Sequence, residues 1–312
     1  MTAFGFSTGQ ISLTEDWQDY ALLDSGDGLK LERFGPYSFV RPEPQALWER
    51  RLGDDVWAKA AGRFLASSDD PEKGGKWQLS KDLPDRWEMG FEGVKFYASP
   101  TPFRHLAFFP EQSGHWQFCA TAIKAFRAKH GRKPRILNLF GYTGVASLHA
   151  AEAGAEVTHV DASKKAIAQA FENRELSGLS DAPIRYITDD CLKFVAREAR
   201  RGNFYDGIIL DPPKYGRGPK GEVWRLEEGL PELLSLCASL LSDEAIFMIL
   251  TIYAIRTSTL SVHSAMAQAL GGDRANDLTS GELTSGEVGI VEAADNPRAI
   301  GQALFVRYHK AP

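Results

Sequence analysis

The sequence predicts an α/β fold: a parallel, doubly wound sheet finished by an antiparallel hairpin, preceded by a smaller, mostly β N-terminal domain. Three observations predict it. From Ile136 onward, apolar runs of strand length alternate with helix-length segments closed by glycine, the pattern of a parallel sheet covered by helices. The last two apolar runs, 287–293 and 299–308, are separated only by 294–298, too short for a crossover helix. Residues 1–117 are instead rich in Trp, Gly and Pro, with short alternating runs such as Lys95-Phe96-Tyr97, which read as strands and turns. The expected division is 1–117, an accessory or substrate domain, and 118–312.

Within the second part, residues 136–140 read as a strand and 144–153 as a helix closed by Gly154. A second strand, 156–160, ends at Asp161, and the helix 164–177 closes at Gly178. A third strand, 184–188, ends at Asp189-Asp190, and the helix 192–201 closes at Gly202. The fourth strand, 205–210, runs into Asp211; a helix over 232–241, a strand over 245–253 and a helix over 258–270 follow. Glycine recurs at helix ends because the residue after the last turn adopts a left-handed conformation. In the N-terminal part, 48–65 predicts one helix.

Composition bounds the class. A chain of 312 residues, 43% hydrophobic and 25% charged, is an ordinary globular protein long enough for two domains. No apolar run approaches the roughly 18 residues that span a bilayer, and residues 1–10 lack the basic start and apolar stretch of a secretory signal. Cys119, Cys191 and Cys237 are widely spaced and odd in number, against a disulfide framework or a metal site. A cytosolic protein with reduced thiols is expected, with no metal and no membrane.

The net charge of −5 does not advertise nucleic-acid binding. Residues 1–117 hold 13 Lys and Arg against 18 Asp and Glu; residues 118–312 hold 23 of each. Three basic runs stand out: 124–135, with six cations and no acid; Arg197, Arg200 and Arg201 at a helix end; and Lys214, Arg217, Lys220 and Arg225. Any one can be a solvated surface, and cations at a helix C-terminus complement its dipole. The third is best placed to meet an anion, because of the residues before it.

Those residues, Asp211-Pro212-Pro213-Lys214-Tyr215, make a rigid ledge at a strand end, where ligands of open α/β sheets bind. Each proline fixes φ and lacks an N–H, so the ledge offers a carboxylate and carbonyls to an incoming amino group. Upstream, Asn138-Leu139-Phe140-Gly141-Tyr142-Thr143-Gly144 is a strand-to-helix turn of small residues beside a helix N-terminus. It is not GxGxxG, so the dinucleotide fingerprint fails. Asp161, with Ala162 beside it, stands where an acid can accept from ribose hydroxyls. Asp190 stands where one can accept from an adenine amino group. Either acid alone could be a helix N-cap. An open turn and three acids on successive strand ends together describe an adenosine pocket with a reactive group next to it.

In these residues the chain resembles the class I S-adenosylmethionine-dependent methyltransferases, and within them the large-subunit rRNA methyltransferase group with N-x-F-x-Y-T-G and D-P-P-K-[FY] motifs. The resemblance covers about residues 105–270, and the terminal hairpin of a Rossmann-like methyltransferase sheet agrees with it. It implies S-adenosyl-L-methionine as cofactor. Phe140, Gly141, Tyr142, Thr143 and Gly144 would wrap the methionine portion, Asp161 would hold the ribose, and Asp190 with the Cys191 N–H would read the adenine. Phe108-Phe109-Pro110-Glu111-Gln112 stands where the group has an [FY]-[FY]-L-D-Q-type element, which makes Gln112 a donor contact.

Two departures bear on the substrate. Members that methylate C5 of cytosine need a thiolate nucleophile, and no Cys follows the fifth strand in Leu250-Thr251-Ile252-Tyr253-Ala254-Ile255. A base nitrogen is the expected target. Asp211 and the Pro212 carbonyl would then aim it, Tyr215 would stack a base, and Lys214 and Arg217 would meet phosphate. The acidic N-terminal part is unlike the group's usual RNA-binding appendages, which leaves a protein or small-molecule acceptor, or a non-catalytic binding module, as competing readings. His105 and His115 flank the Phe108–Gln112 element, where a structural role is the commoner one.

Overall fold

The computed structural model describes residues 7–66, 74–253, 257–272 and 278–311. These form two compact units: one from the described parts of Met1–Ser12, His115–Glu287 and Ala303–Pro312, the other from Leu13–Gly114 and Val288–Gln302. A single cut after residue 117 therefore differs from the contact pattern in two ways. The first strand, β1 (Ser7–Thr14), enters the larger sheet, and most of the terminal hairpin's far end is counted with the N-terminal residues.

The second unit carries β2 (Tyr20–Gly26), β3 (Leu29–Phe34), β4 (Tyr37–Pro42), the short helix α1 (Asp54–Ala58), β5 (Gly62–Ala66), β6 (Gly75–Leu79), β7 (Trp87–Phe91) and β8 (Val94–Ala98). β2 to β6 form one sheet in chain order, and β7–β8 a separate ribbon, a mostly β unit as expected. The expected helix over 48–65 is not there: α1 spans five residues and 62–66 is strand. Gly62 explains the break. It pairs with Phe39, and a Cβ on it would sit 2.7 Å from the Phe39 ring, so the chain turns from helix into a strand pressed against an aromatic. The core is aromatic, with Trp17, Phe34, Phe39, Phe96 and Phe108 buried. Its buried charges are paired, as burial requires: Arg41 makes two 2.7 Å bonds to Glu32, and Arg298 bonds Asp24 at 2.8 Å and Glu292 at 2.7 Å.

The first unit carries α2 (Ser113–His130), β9 (Arg135–Leu139), α3 (Val145–Glu152), β10 (Glu156–Asp161), α4 (Lys164–Leu176), β11 (Ile184–Thr188), α5 (Cys191–Arg201) and β12 (Gly207–Leu210). Then come β13 (Tyr215–Arg217), β14 (Val223–Arg225), α6 (Leu226–Ser239), β15 (Phe247–Ile252), α7 (Thr259–Leu270), and the hairpin β16 (Glu282–Val291) and β17 (Ala299–His309), whose residues Val288–Gln302 fall in the second unit. The sheet order is β1-β16-β17-β15-β12-β9-β10-β11, parallel from β15 through β11, with β17 antiparallel to β15. Two elements differ from the sequence reading. α6 starts six residues earlier than 232, with Pro231 inside it. And residues 215–225, to which the sequence reading gave no element, make the antiparallel ribbon β13–β14.

Register sets the site. Leu250, Leu210, Leu139, Val160 and Ile187 pair in one row across five strands. All but Ile187 belong to the buried core, closed by α5, α6 and α7 side chains such as Phe194, Leu233 and Met266. The next residue on each strand is therefore Thr251, Asp211, Phe140, Asp161 or Thr188, a line along the carboxyl edge. No helix among the described residues is long and apolar enough to cross a membrane.

Candidate active site

The turn after β9 is held in an unusual shape. Phe140, Tyr142 and Gly144 all lie at positive φ, 56°, 49° and 86°, a conformation rare outside glycine. Neighbouring strand ends enforce it. The Phe140 N–H donates to the Cys191 thiol sulfur at 3.3 Å, the Gly141 N–H to the Val160 carbonyl at 3.1 Å, and the Tyr142 N–H to Asp161 Oδ2 at 2.9 Å. From behind, Asn138 Nδ2 donates to Ser147 Oγ at 2.8 Å, and Ser147 Oγ meets His159 Nδ1 at 2.9 Å. Burial pushes the His159 imidazole down to about 4, so it stays neutral. Gly141 lies against that ring; a Cβ there would fall 2.4 Å from His159 Cε1. Thr143 is held by its carbonyl, which accepts from Asn173 Nδ2 at 2.9 Å.

Asn138 thus faces the interior, 2% exposed, and braces the turn instead of facing a ligand. Ser147, His159 and Asn173 were not singled out from the sequence. A buried polar residue on an apolar strand or helix was the available signal.

Asp161 and Asp190 separate. Asp161 does not cap α4: Ser163 does, accepting from the Ala166 N–H at 3.2 Å. The Asp161 carboxylate instead accepts from Tyr142 at Oδ2 and from the Ser163 N–H at Oδ1, 2.8 Å. Each oxygen retains a lone pair for one more donor, which suits a diol. Burial raises its carboxyl, and the two N–H bonds oppose that rise. Asp190, by contrast, is the N-cap of α5 and accepts from the Lys193 N–H at 2.9 Å; capping takes its Oδ1. Asp189 pairs with Arg197. Cys191 is buried, its thiol directed at the Val160 carbonyl, and burial raises it well above the usual range. Cys119, pushed up to about 12, and Cys237 are buried as well.

The ledge folds back on the β13–β14 ribbon. Trp224 Nε1 donates to the Pro213 carbonyl at 2.7 Å and the Leu226 N–H to the Lys214 carbonyl at 3.0 Å. One of the two proline carbonyls is therefore taken internally, which the sequence reading had left open to a ligand. Tyr215, 52% exposed, and Arg217 stand on the ribbon. Arg225 pairs with Glu228 and Lys193 with Glu222. The other basic runs have structural partners: Arg132 with Asp206 and Glu244, Arg127 with the Ala153 carbonyl, Arg201 with Glu198. Gln112 belongs to the other unit, buried in a 3-10 turn, Pro110–Gln112. Among the described residues, no three His, Cys, Asp or Glu are grouped to hold a metal.

A family model described as Conserved hypothetical protein 95 matches residues 121–226. The crystal structure of a SAM-dependent methyltransferase from Agrobacterium tumefaciens is similar to the whole chain, at 44% identity and a TM-score of 0.89, covering 99% of this chain and 96% of that one. Ribosomal RNA large subunit methyltransferase K/L of Shewanella frigidimarina is 39% identical over 216 residues, 66% of this chain and 29% of that protein. Ribosomal RNA large subunit methyltransferase I of Aeromonas salmonicida is 29% identical over 171 residues, 54% of this chain and 41% of that protein. The chain thus spans less than half the length of these curated relatives.

Proposed function

The chain belongs to the S-adenosylmethionine-dependent methyltransferases, and we propose that it methylates a base nitrogen of RNA, ribosomal RNA in kind. The observation that carries the proposal is the line of strand ends: Asp211 follows Leu210, which pairs with Leu139, so the ledge and the Phe140 turn leave adjacent strands at the same level. The names of the ribosomal RNA methyltransferases that match the chain support the substrate class.

The bound donor supplies a methyl group on a sulfonium, already activated for displacement. The chain's own residues bind and orient. Phe140, Gly141, Tyr142, Thr143 and Gly144 hold the methionine portion, Asp161 with Ala162 the ribose, and the free Asp190 oxygen with Cys191 the adenine; Asn138 braces the turn. The Asp211 carboxylate and the Pro212 carbonyl accept N–H bonds from the target base and aim its nitrogen lone pair, and the carboxylate takes up the proton that nitrogen loses. Such positioning supplies most of what an in-line displacement needs. Tyr215 stacks the base, and Lys214 and Arg217 meet the backbone phosphates.

Nitrogen is favoured over C5 of a pyrimidine because that carbon needs a thiolate to activate it, and all three thiols are buried and held protonated. Incubation with methyl-labelled donor and ribosomal RNA transcribed in vitro should label the RNA. Label appearing only in a protein or metabolite fraction would overturn the substrate, and label in none of them would favour a binding module.

A further inference from the structure

We infer that Trp224 is a positioning residue that ties the substrate ledge to the cofactor turn, so that the β13–β14 ribbon responds to cofactor binding. The inference rests on the proposed role of the Asp211–Tyr215 ledge. Trp224 is 6% exposed, although its neighbours on the same short strand, Val223 and Arg225, face solvent. Two of its contacts join the ledge to the turn. Its indole N–H donates to the Pro213 carbonyl at 2.7 Å, and its ring lies 5.2 Å from the Phe140 ring.

Each contact falls on a point that cannot hold itself. Pro212 and Pro213 have no N–H to donate, so the ledge is anchored through carbonyls, and the indole takes one. Phe140 is held at φ 56° with its N–H on the Cys191 thiol, and its side chain reaches the ribbon. α6 leaves room for the indole: a Cβ on Gly229 would fall 2.5 Å from Trp224 Cζ3. A second tether joins the ribbon tip to α5, Lys193 Nζ to Glu222 Oε1 at 2.7 Å. The Lys193 side chain is 58% exposed, and an exposed pair of this kind contributes little. Trp224 touches both, and so can carry a change at Phe140 to Pro213.

Hydrogen exchange of the full chain, followed by mass spectrometry with and without S-adenosylhomocysteine, tests this. Trp224→Phe keeps a ring against Phe140 and deletes the donor to Pro213. In the unaltered protein, S-adenosylhomocysteine should slow exchange over residues 214–225. In Trp224→Phe it should bind with the same Kd, yet the slowing over 214–225 should be lost while that around Tyr142 persists. Gly229→Ala retains every indole atom but displaces the ring, and should lose the same protection. Equal slowing in the unaltered and both variant proteins, or a ribbon indifferent to S-adenosylhomocysteine in the unaltered protein, overturns the inference. No RNA enters the measurement, so failure of the RNA assignment reads out separately, as absence of methyl transfer.

Discussion

The Tyr142 N–H donates to Asp161 Oδ2 across 2.9 Å, while Asp161 Oδ1 accepts from Ser163 at 2.8 Å. One carboxylate thereby fixes both the turn after β9 and the entry to α4. Removing it should do two separable things. Asp161→Ala leaves two N–H groups without acceptors, at about 1–3 kcal/mol of stability each if they stay buried, and should weaken S-adenosylmethionine binding by at least about tenfold, or 1.4 kcal/mol. Asp161→Asn keeps one acceptor and the side-chain shape, so it should recover much of the stability and little of the affinity. Calorimetry beside urea melts separates the two. Unchanged affinity in both variants would remove Asp161 from the cofactor site.

Gly141→Ala should damage the same turn from behind. The new methyl would meet His159 at 2.4 Å, and the ring is held by Ser147, itself bonded to Asn138. Overpacking of this kind costs about 1–3 kcal/mol. Gly141 is not at positive φ, so the loss is steric. His159→Ala in the same chain should relieve it in part, which a double-mutant cycle in donor affinity and melting would register.

Acid should destabilise the first unit through Asp206. Burial would raise its carboxyl, but bonds from Arg132 at 2.7 and 2.9 Å, from the Arg135 N–H at 2.8 Å and from Ser242 at 2.7 Å hold it below the ordinary 3.8. A carboxyl lowered in the fold contributes stability above its unfolded pKa and loses it as pH falls through the folded value. Asp206→Asn should therefore destabilise by about 1–3 kcal/mol near neutrality, with the difference shrinking below pH 3.8. Urea melts at several pH values check the sign; a penalty that grows on acidification would contradict it.

Arg298→Lys should destabilise the second unit. The guanidinium bonds Asp24, Glu292 and the Ser25 and Glu49 carbonyls at once, which an ammonium cannot copy. The acids are buried, and removing their partner outright costs about 3–5 kcal/mol, the upper limit for a lysine that keeps the charge but not the fork. Urea unfolding followed by tryptophan fluorescence should show the loss, because Arg298 lies 5.4 Å over the Trp48 ring.

Much of the larger unit was legible because its signals are local. Strand–helix alternation, glycines after helices and acids at strand ends need no knowledge of distant residues, and Asp161, Asp190 and Asp211 fell where expected. What was missed depends on partners far along the chain. Nothing within residues 7–14 says that β1 joins the large sheet, or within 288–302 that Arg298 will pair with Asp24. Gly62 looks helix-compatible until Phe39 is beside it. The β13–β14 ribbon hid in Gly-Arg-Gly-Pro-Lys-Gly, which reads as loop because only three residues on each side pair. Asp190 shows the limit of motif reading: the aspartate placed by its strand end caps α5 in the fold.

The target atom tests the whole account. Ribosomal RNA transcribed in vitro, treated with the full chain and S-adenosylmethionine, digested to nucleosides and weighed by mass spectrometry, should contain an N-methylated base. It should do so equally with Cys119→Ala and Cys237→Ala, and Asp211→Ala should abolish it. A base methylated on carbon, or methyl transfer confined to protein, would contradict it.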